Sequence, residues 1–192
     1  MARWEPDARG RLEKAAMELF RERGYVATTV QEIAARAGLT ERTFFRYFAD
    51  KREVLFSGGE ALEKNIVDRI ARAPRDARPL DVVAAAFEGA AAELIATRDL
   101  RFVRARWALV VEHAEIQERE LIKLAALGGA VKKALHARGV GEPAASLVAE
   151  AGMAAFKVGF ERWIGEKKPG DLAEHIRAAV RTLRAIAAPG KR

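Results

Sequence analysis

Between residues 40 and 51 the segment TERTFFRYFADK sets hydrogen-bond donors at helical spacing. Arg42 and Arg46 stand four apart, with Thr43 and Tyr47 beside them, so one short helix would carry two guanidinium forks and two hydroxyls on one side. An arginine fork matches the O6 and N7 acceptors of guanine, and a threonine can bond a base edge or touch a thymine methyl. Arg42, Thr43 and Arg46 are therefore candidate readers of duplex DNA. Thr28, Thr40, Tyr47 and Lys51, with the backbone N–H groups opening the second and fourth helices, are placed to hold phosphate oxygens, which sets register rather than sequence choice. Phe44 and Phe48, also four apart, form the opposite face and are expected to pack on Leu19, Phe20, Ile33 and Ala37.

A helix this short cannot stand alone in water, so its neighbours must hold it. A first helix is expected over residues 6–23, with Leu12, Ala15, Ala16, Leu19 and Phe20 as its stripe and Gly24 as a C-cap. Thr29 followed by Glu32 is a capping box that opens a second helix carrying Val30, Ile33, Ala34 and Ala37; Gly38 stops it. Thr40 then caps the third helix, residues 41–48. Asp50 and Glu53 repeat the box and predict a fourth helix through Leu55, Leu62, Ile66 and Ile70, longer than twenty residues. The spacing around Gly38 is that of a helix-turn-helix. Glu41 and Asp50 border the donor face and would repel phosphate unless they point along the caps. A purely structural hairpin is the alternative reading of this segment.

Residues 71–79, ARAPRDARP, cannot continue a regular helix. Beyond them apolar residues recur at three- and four-residue spacing and predict five helices, at about 80–96, 99–112, 115–138, 143–166 and 171–188. Asp171 with Glu174 suggests a third capping box. No strict alternation suggests a strand. The expected fold is all-α with about nine helices: a three-helix DNA-binding domain at 1–53 and a helical effector-binding and dimerisation domain at 54–192.

Half of the 192 residues are hydrophobic and 32% charged, which fits a packed globular chain. The formal charge of +7 permits a polyanionic partner, although the first 53 residues are near-neutral and do not locate one. With no cysteine there is no disulfide framework or thiolate nucleophile. His113, His136 and His175 are isolated, and no HExxH, GxSxG or paired Glu-x-x-His pattern occurs, so no catalytic residues, metal or cofactor are expected. The N-terminal residues lack the apolar core of a secretory signal, which fits a cytoplasmic protein.

Residues 10–56 resemble the DNA-binding domain of the tetracycline-repressor (TetR) family of bacterial regulators. The resemblance is carried by ELF at 18–20 followed by RERGY, ATTV at 27–30, EIA at 32–34, AGLTERTFFRYF at 37–48 and K-x-x-V-L from Lys51. It implies a homodimer whose C-terminal domain binds a small molecule and thereby weakens binding to a palindromic operator, that is, a ligand-responsive repressor. The family usually has tyrosine where Phe45 stands and a histidine-rich pair at Arg46 and Tyr47. A hydroxyl is thus missing at Phe45, which is left with apolar contact to sugar or a base methyl. The stretch from Arg138 to Trp163 is similar to regulators near mycofactocin clusters, some of which respond to acyl-coenzyme A; this implies a lipophilic, acidic effector.

In the helix near 99–112 Arg104 falls inside the stripe of Leu100, Val103, Trp107, Val110 and Val111. One expectation is that Arg104 faces an effector cavity lined by Phe87, Phe102, Trp107, Met153, Phe156 or Phe160. The other is that it snorkels or pairs with an internal glutamate. The helix at 143–166 is apolar on two sides, and Leu147, Ala151 and Val158, with Leu172, Ile176, Val180 and Leu183 of the last helix, are expected to form a four-helix dimer interface, close approach being eased by Gly152 and Gly159. Burial of both faces within one protomer is the alternative. A different functional class also remains: a peripheral membrane or lipid-binding helical protein that does not touch DNA.

Overall fold

The computed structural model describes residues 7–97 and 99–188, and every regular element among them is helical. The order is α1 (Ala8–Arg23), α2 (Val30–Arg36), α3 (Glu41–Tyr47), a single 3-10 turn (Glu53–Phe56), α4 (Gly59–Arg72), α5 (Pro79–Thr97), α6 (Leu100–Glu112), α7 (Ala114–Ala137), α8 (Ala144–Gly165) and α9 (Leu172–Ala187). Pro6, the expected start of α1, lies outside the described residues. The long fourth helix is corrected: Gly58, at φ 88°, breaks it after the 3-10 turn, because a left-handed residue cannot continue a right-handed helix.

The chain divides into two compact units, Met1–Gly58 with Leu100–Glu120, and Gly59–Asp99 with Leu121–Arg192. Residues 54–58 and 100–120, read from sequence with the C-terminal domain, fall in the first. The cause is apolar: Val54, Leu55, Phe56, Val110 and Ile116 are buried in one cluster with Leu12, Leu19, Phe20, Ile33, Phe44 and Phe48. Polar ties reinforce it. Arg106 donates from Nε to the Leu55 carbonyl at 2.7 Å and pairs with Glu120, while Arg119 pairs with Glu53.

In the second unit α5 packs against α4, α8 and α9. Its Val82, Val83, Ala86, Phe87, Ala90 and Ala91 are buried. Gly152 and Gly159 serve contacts inside this unit: a Cβ at Gly152 would strike Val83 Cγ1, and one at Gly159 would lie 2.8 Å from the backbone of Ile176. Arg138 closes α4, its guanidinium donating to the carbonyls of Ile70, Ala73 and Pro74 at 2.9, 2.8 and 2.6 Å, which satisfies groups the helix end leaves open.

The α8–α9 connection is fastened by Trp163 Nε1 donating to the Gly170 carbonyl at 2.9 Å and by His175. Asp171 caps α9 by accepting from Ala173 N, but Glu174 bonds Arg177 instead of reaching back, so the third capping box does not form. His175 Nε2 lies 2.8 Å from Glu166 Oε1 and its Nδ1 3.0 Å from the Asp171 carbonyl. The bond to the Glu166 carboxylate raises the histidine pKa above its usual value, although burial and Arg162 oppose it. A raised folded-state pKa stabilises most at pH below the unfolded value, about 6.5, and the gain fades as pH climbs through the folded value. The melting-temperature gap between wild type and His175→Gln is therefore expected to be larger at pH 6 than at pH 8.5. An equal gap at both would refute the linkage.

Candidate nucleic-acid interface

Local chemistry sets each turn of the helix-turn-helix. Gly24 ends α1 at φ 81°, and Tyr25 then turns into the core, 2% exposed. Thr29 is extended, its hydroxyl accepts from Glu32 N at 3.2 Å, and Glu32 accepts from Thr29 N at 2.9 Å, the reciprocal box expected. The Thr29 bonds hold the Glu32 pKa below the ordinary range, with Arg23 at 2.7 Å adding to it. Gly38, at φ 67°, then lets Gly38 N and Leu39 N reach back to the Ala35 and Ala34 carbonyls. Arg11 adds a bond to the Ala37 carbonyl, and Arg36 pairs with Glu22 at 2.9 Å, locking α2 to α1.

α3 is seven residues long and begins where Thr40 Oγ1 accepts from Thr43 N at 3.2 Å. Phe44 is wholly buried and Phe48 nearly so, their ring centroids 5.5 Å apart. Burying two such rings contributes roughly 1.5–3 kcal/mol each, enough to hold a helix with no stability of its own. The opposite face is open, with Arg42, Phe45, Arg46 and Tyr47 exposed and Thr43 half-buried. Arg46 lies over the Tyr47 ring at 4.9 Å and reaches its hydroxyl at 3.2 Å, and the Thr43 hydroxyl is 3.1 Å from that of Thr40. One solvent-facing strip thus combines two guanidinium groups, two threonines and two aromatic rings.

Two residues expected to hold phosphate are engaged by the protein itself. Thr28 is 1% exposed, and its hydroxyl donates to the Gly24 carbonyl at 2.8 Å, so it fastens the turn before α2. Lys51 Nζ is enclosed by three acceptors, the carbonyls of Tyr25 at 2.8 Å, Val26 at 3.2 Å and Thr28 at 2.9 Å, and sits 4.4 Å from the Tyr25 ring centroid. An ammonium has three protons, and all three have protein partners here. The N–H groups after Asp50 are committed too: its carboxylate accepts from Arg52 N and Glu53 N and binds the Arg52 guanidinium at 2.7 Å. Burial raises the Asp50 pKa, but these bonds outweigh it and hold the carboxyl below its ordinary value. Asp50 is neutralised by Arg52, which removes most of the repulsion that its charge would cause at this border.

The expected effector residues fall in both units. Phe87 and Phe156 stack at 5.2 Å, Phe156 and Phe160 at 6.3 Å, and Met153 is half-buried beside Gly128, all in the second unit. Phe102, Arg104 and Trp107 belong to the first, where Trp107 packs on the apolar cluster and Arg104 is half-buried rather than enclosed. An open groove of about 500 Å³ between α4 and α5, lined by Asn65, Arg69, Arg72 and Val82, involves none of these side chains. Of the expected dimer residues, Leu147 and Val158 face outward at 67% and 46% exposure, and Ala151 and Leu183 are half-buried. Leu172, Ile176 and Val180 are enclosed in their own protomer, a correction that follows from the register of α9 against α5 and α8. Arg11, Arg36, Arg106 and Arg119 were missed because their partners lie 14 to 66 residues away, where spacing carries no signal.

Among the described residues no cluster of histidine, cysteine or carboxylate side chains could hold a metal ion, and no helix is long and apolar enough to cross a membrane. Residues 12–57 match the family described as bacterial regulatory proteins, tetR family. The regulator TcmR of Streptomyces glaucescens is 37% identical over 79 residues, 41% of this chain and 35% of its own. The transcriptional activator FasR of Mycolicibacterium smegmatis is 35% identical over 69 residues, 36% of this chain and 32% of its own. The chain thus spans about a third of the length of these curated relatives. The crystal structure of Thermus thermophilus FadR, a TetR-family repressor in complex with lauroyl-CoA, is similar over 96% of this chain and 97% of that one, with a TM-score of 0.60 and 27% identity.

Proposed function

We propose that this chain, a member of the tetR family of bacterial regulatory proteins, is a ligand-responsive transcriptional repressor that binds a palindromic DNA operator as a homodimer and leaves it when a small molecule binds. The observation that carries the reading is the free strip of α3, where Arg42 and Arg46 point outward while Phe44 and Phe48 grip the helix from behind. Such a strip fits the major groove, with Arg42, Thr43 and Arg46 on base edges and Thr40 and Tyr47 near the backbone. The likeness to FadR extends over 96% of the chain and supports repression; the likeness to the activator FasR is confined to 36% of it. The protein acts in the cytoplasm, without enzymatic activity.

The effector is lipophilic and acidic, of the acyl-thioester or fatty-acid class. Its chain lies against Met153 and the stacked rings of Phe156 and Phe160, with Phe87 buried beneath Phe156 in the same unit. The dimer forms through the outward sides of α8 and α9, with Leu147, Ala151, Val158 and Leu183 taking part.

Selection from a random duplex library is expected to enrich palindromes whose half-site centres lie about 34–36 Å apart or a multiple of that. No retarded band with any duplex at low ionic strength, together with flotation on anionic liposomes, would replace this reading by a membrane one. Lauroyl-CoA is expected to raise the melting temperature and release the selected duplex. The absence of a thermal shift with every acyl-CoA and fatty acid of a C8–C18 panel would remove the effector class.

A further inference from the structure

On the donor face of α3 one side chain has no donor. Phe45 is 54% exposed, and its ring meets the edge of Phe44 with centroids 5.5 Å apart at 83°, so it is held at its base while most of its surface is open. Helical geometry places it three residues from Arg42, at the flank of the strip, with Tyr47 at the other flank. A phenyl ring beside a phosphate would strip water from charge and return no hydrogen bond, which is unfavourable. A major-groove base edge presents only one hydrocarbon group, the 5-methyl of thymine. That methyl lies near the groove wall, where a flanking side chain of a docked helix arrives.

We propose that Phe45 selects thymine in the operator by packing its ring on a 5-methyl group in each half-site, beside the base pair read by Arg42. This rests on α3 being the recognition helix. The contact is apolar, so its gain comes from removing methyl and ring surface from water, and contact with the Phe44 ring limits the ordering cost.

The test replaces each thymine of the selected operator by uracil, which keeps every hydrogen-bonding group and removes only the methyl. At one position per half-site, uracil is expected to weaken wild-type binding by about fourfold per half-site, roughly fifteenfold for the symmetric duplex. Phe45→Ala is expected to bind the thymine and uracil duplexes equally, and Phe45→Tyr, which keeps the ring, to retain the discrimination. Circular dichroism on both variants checks that the domain is folded. If uracil is tolerated at every position by wild type, the methyl reading is overturned while DNA recognition stands. If Phe45→Ala still discriminates, another side chain reads the methyl and the assignment to Phe45 is wrong. If wild type binds no duplex, the recognition-helix reading fails and this inference with it.

Discussion

The double variant Arg42→Ala, Arg46→Ala is expected to bind the selected operator no better than a scrambled duplex. Each guanidinium pairing with a base contributes roughly 1–3 kcal/mol of discrimination, and a palindrome presents each arginine twice. Four such contacts together are comparable with the whole gap between specific and non-specific binding, about 4–10 kcal/mol. Both side chains are exposed and lie opposite Phe44 and Phe48, so the fold is expected to survive and the melting temperature to move little. Fluorescence anisotropy with operator and scrambled duplexes at one salt concentration measures the ratio. A preference unchanged from wild type would show that other residues read the bases.

Lys51→Met is expected to produce a clear stability loss, about 1.5–3 kcal/mol. It removes three charge-assisted bonds and leaves the carbonyls of Tyr25, Val26 and Thr28 short of a donor. The turn they belong to ends at the Thr29 cap, so operator affinity is expected to fall because α2 loses its seat. The salt dependence separates this from a phosphate contact. Loss of a contact flattens the slope of log K against log salt by about 0.9 for each phosphate released, whereas a positional loss leaves the slope alone. Thermal melting together with a salt titration of wild type and Lys51→Met gives both quantities. A stable variant with a flattened slope would return Lys51 to the phosphate-binding set.

What could be read from sequence was the part encoded over three or four residues. Thr29 with Glu32, Thr40 with Thr43, the stops at Gly24 and Gly38, and the pairing of Phe44 with Phe48 are local, and the caps and faces of α1, α2 and α3 followed from them. The intramolecular partners of Lys51 were not legible because a lysine four residues beyond α3 looks like any exposed cation, and its three acceptors lie 23 to 26 residues earlier. On α9 periodicity finds an apolar stripe but cannot say which protomer covers it, so Leu172, Ile176 and Val180 were assigned outward although α5 and α8 enclose them. α6 presented the same difficulty over a longer range. Nothing in LRFVRARWALVVE announces that Val110 belongs with Leu12 and Phe44.

That last placement bears on recombination. The N-terminal head is not one contiguous stretch of chain, since α6 and the start of α7 complete its oily interior and Arg106 and Arg119 bolt them to the 3-10 turn. A chimera spliced just after Gly58 would graft a head missing one wall, with Val54, Leu55 and Phe56 stripped of some of their neighbours. Transplanting this unit onto another chain therefore means moving two pieces of sequence together, or designing a substitute for the second.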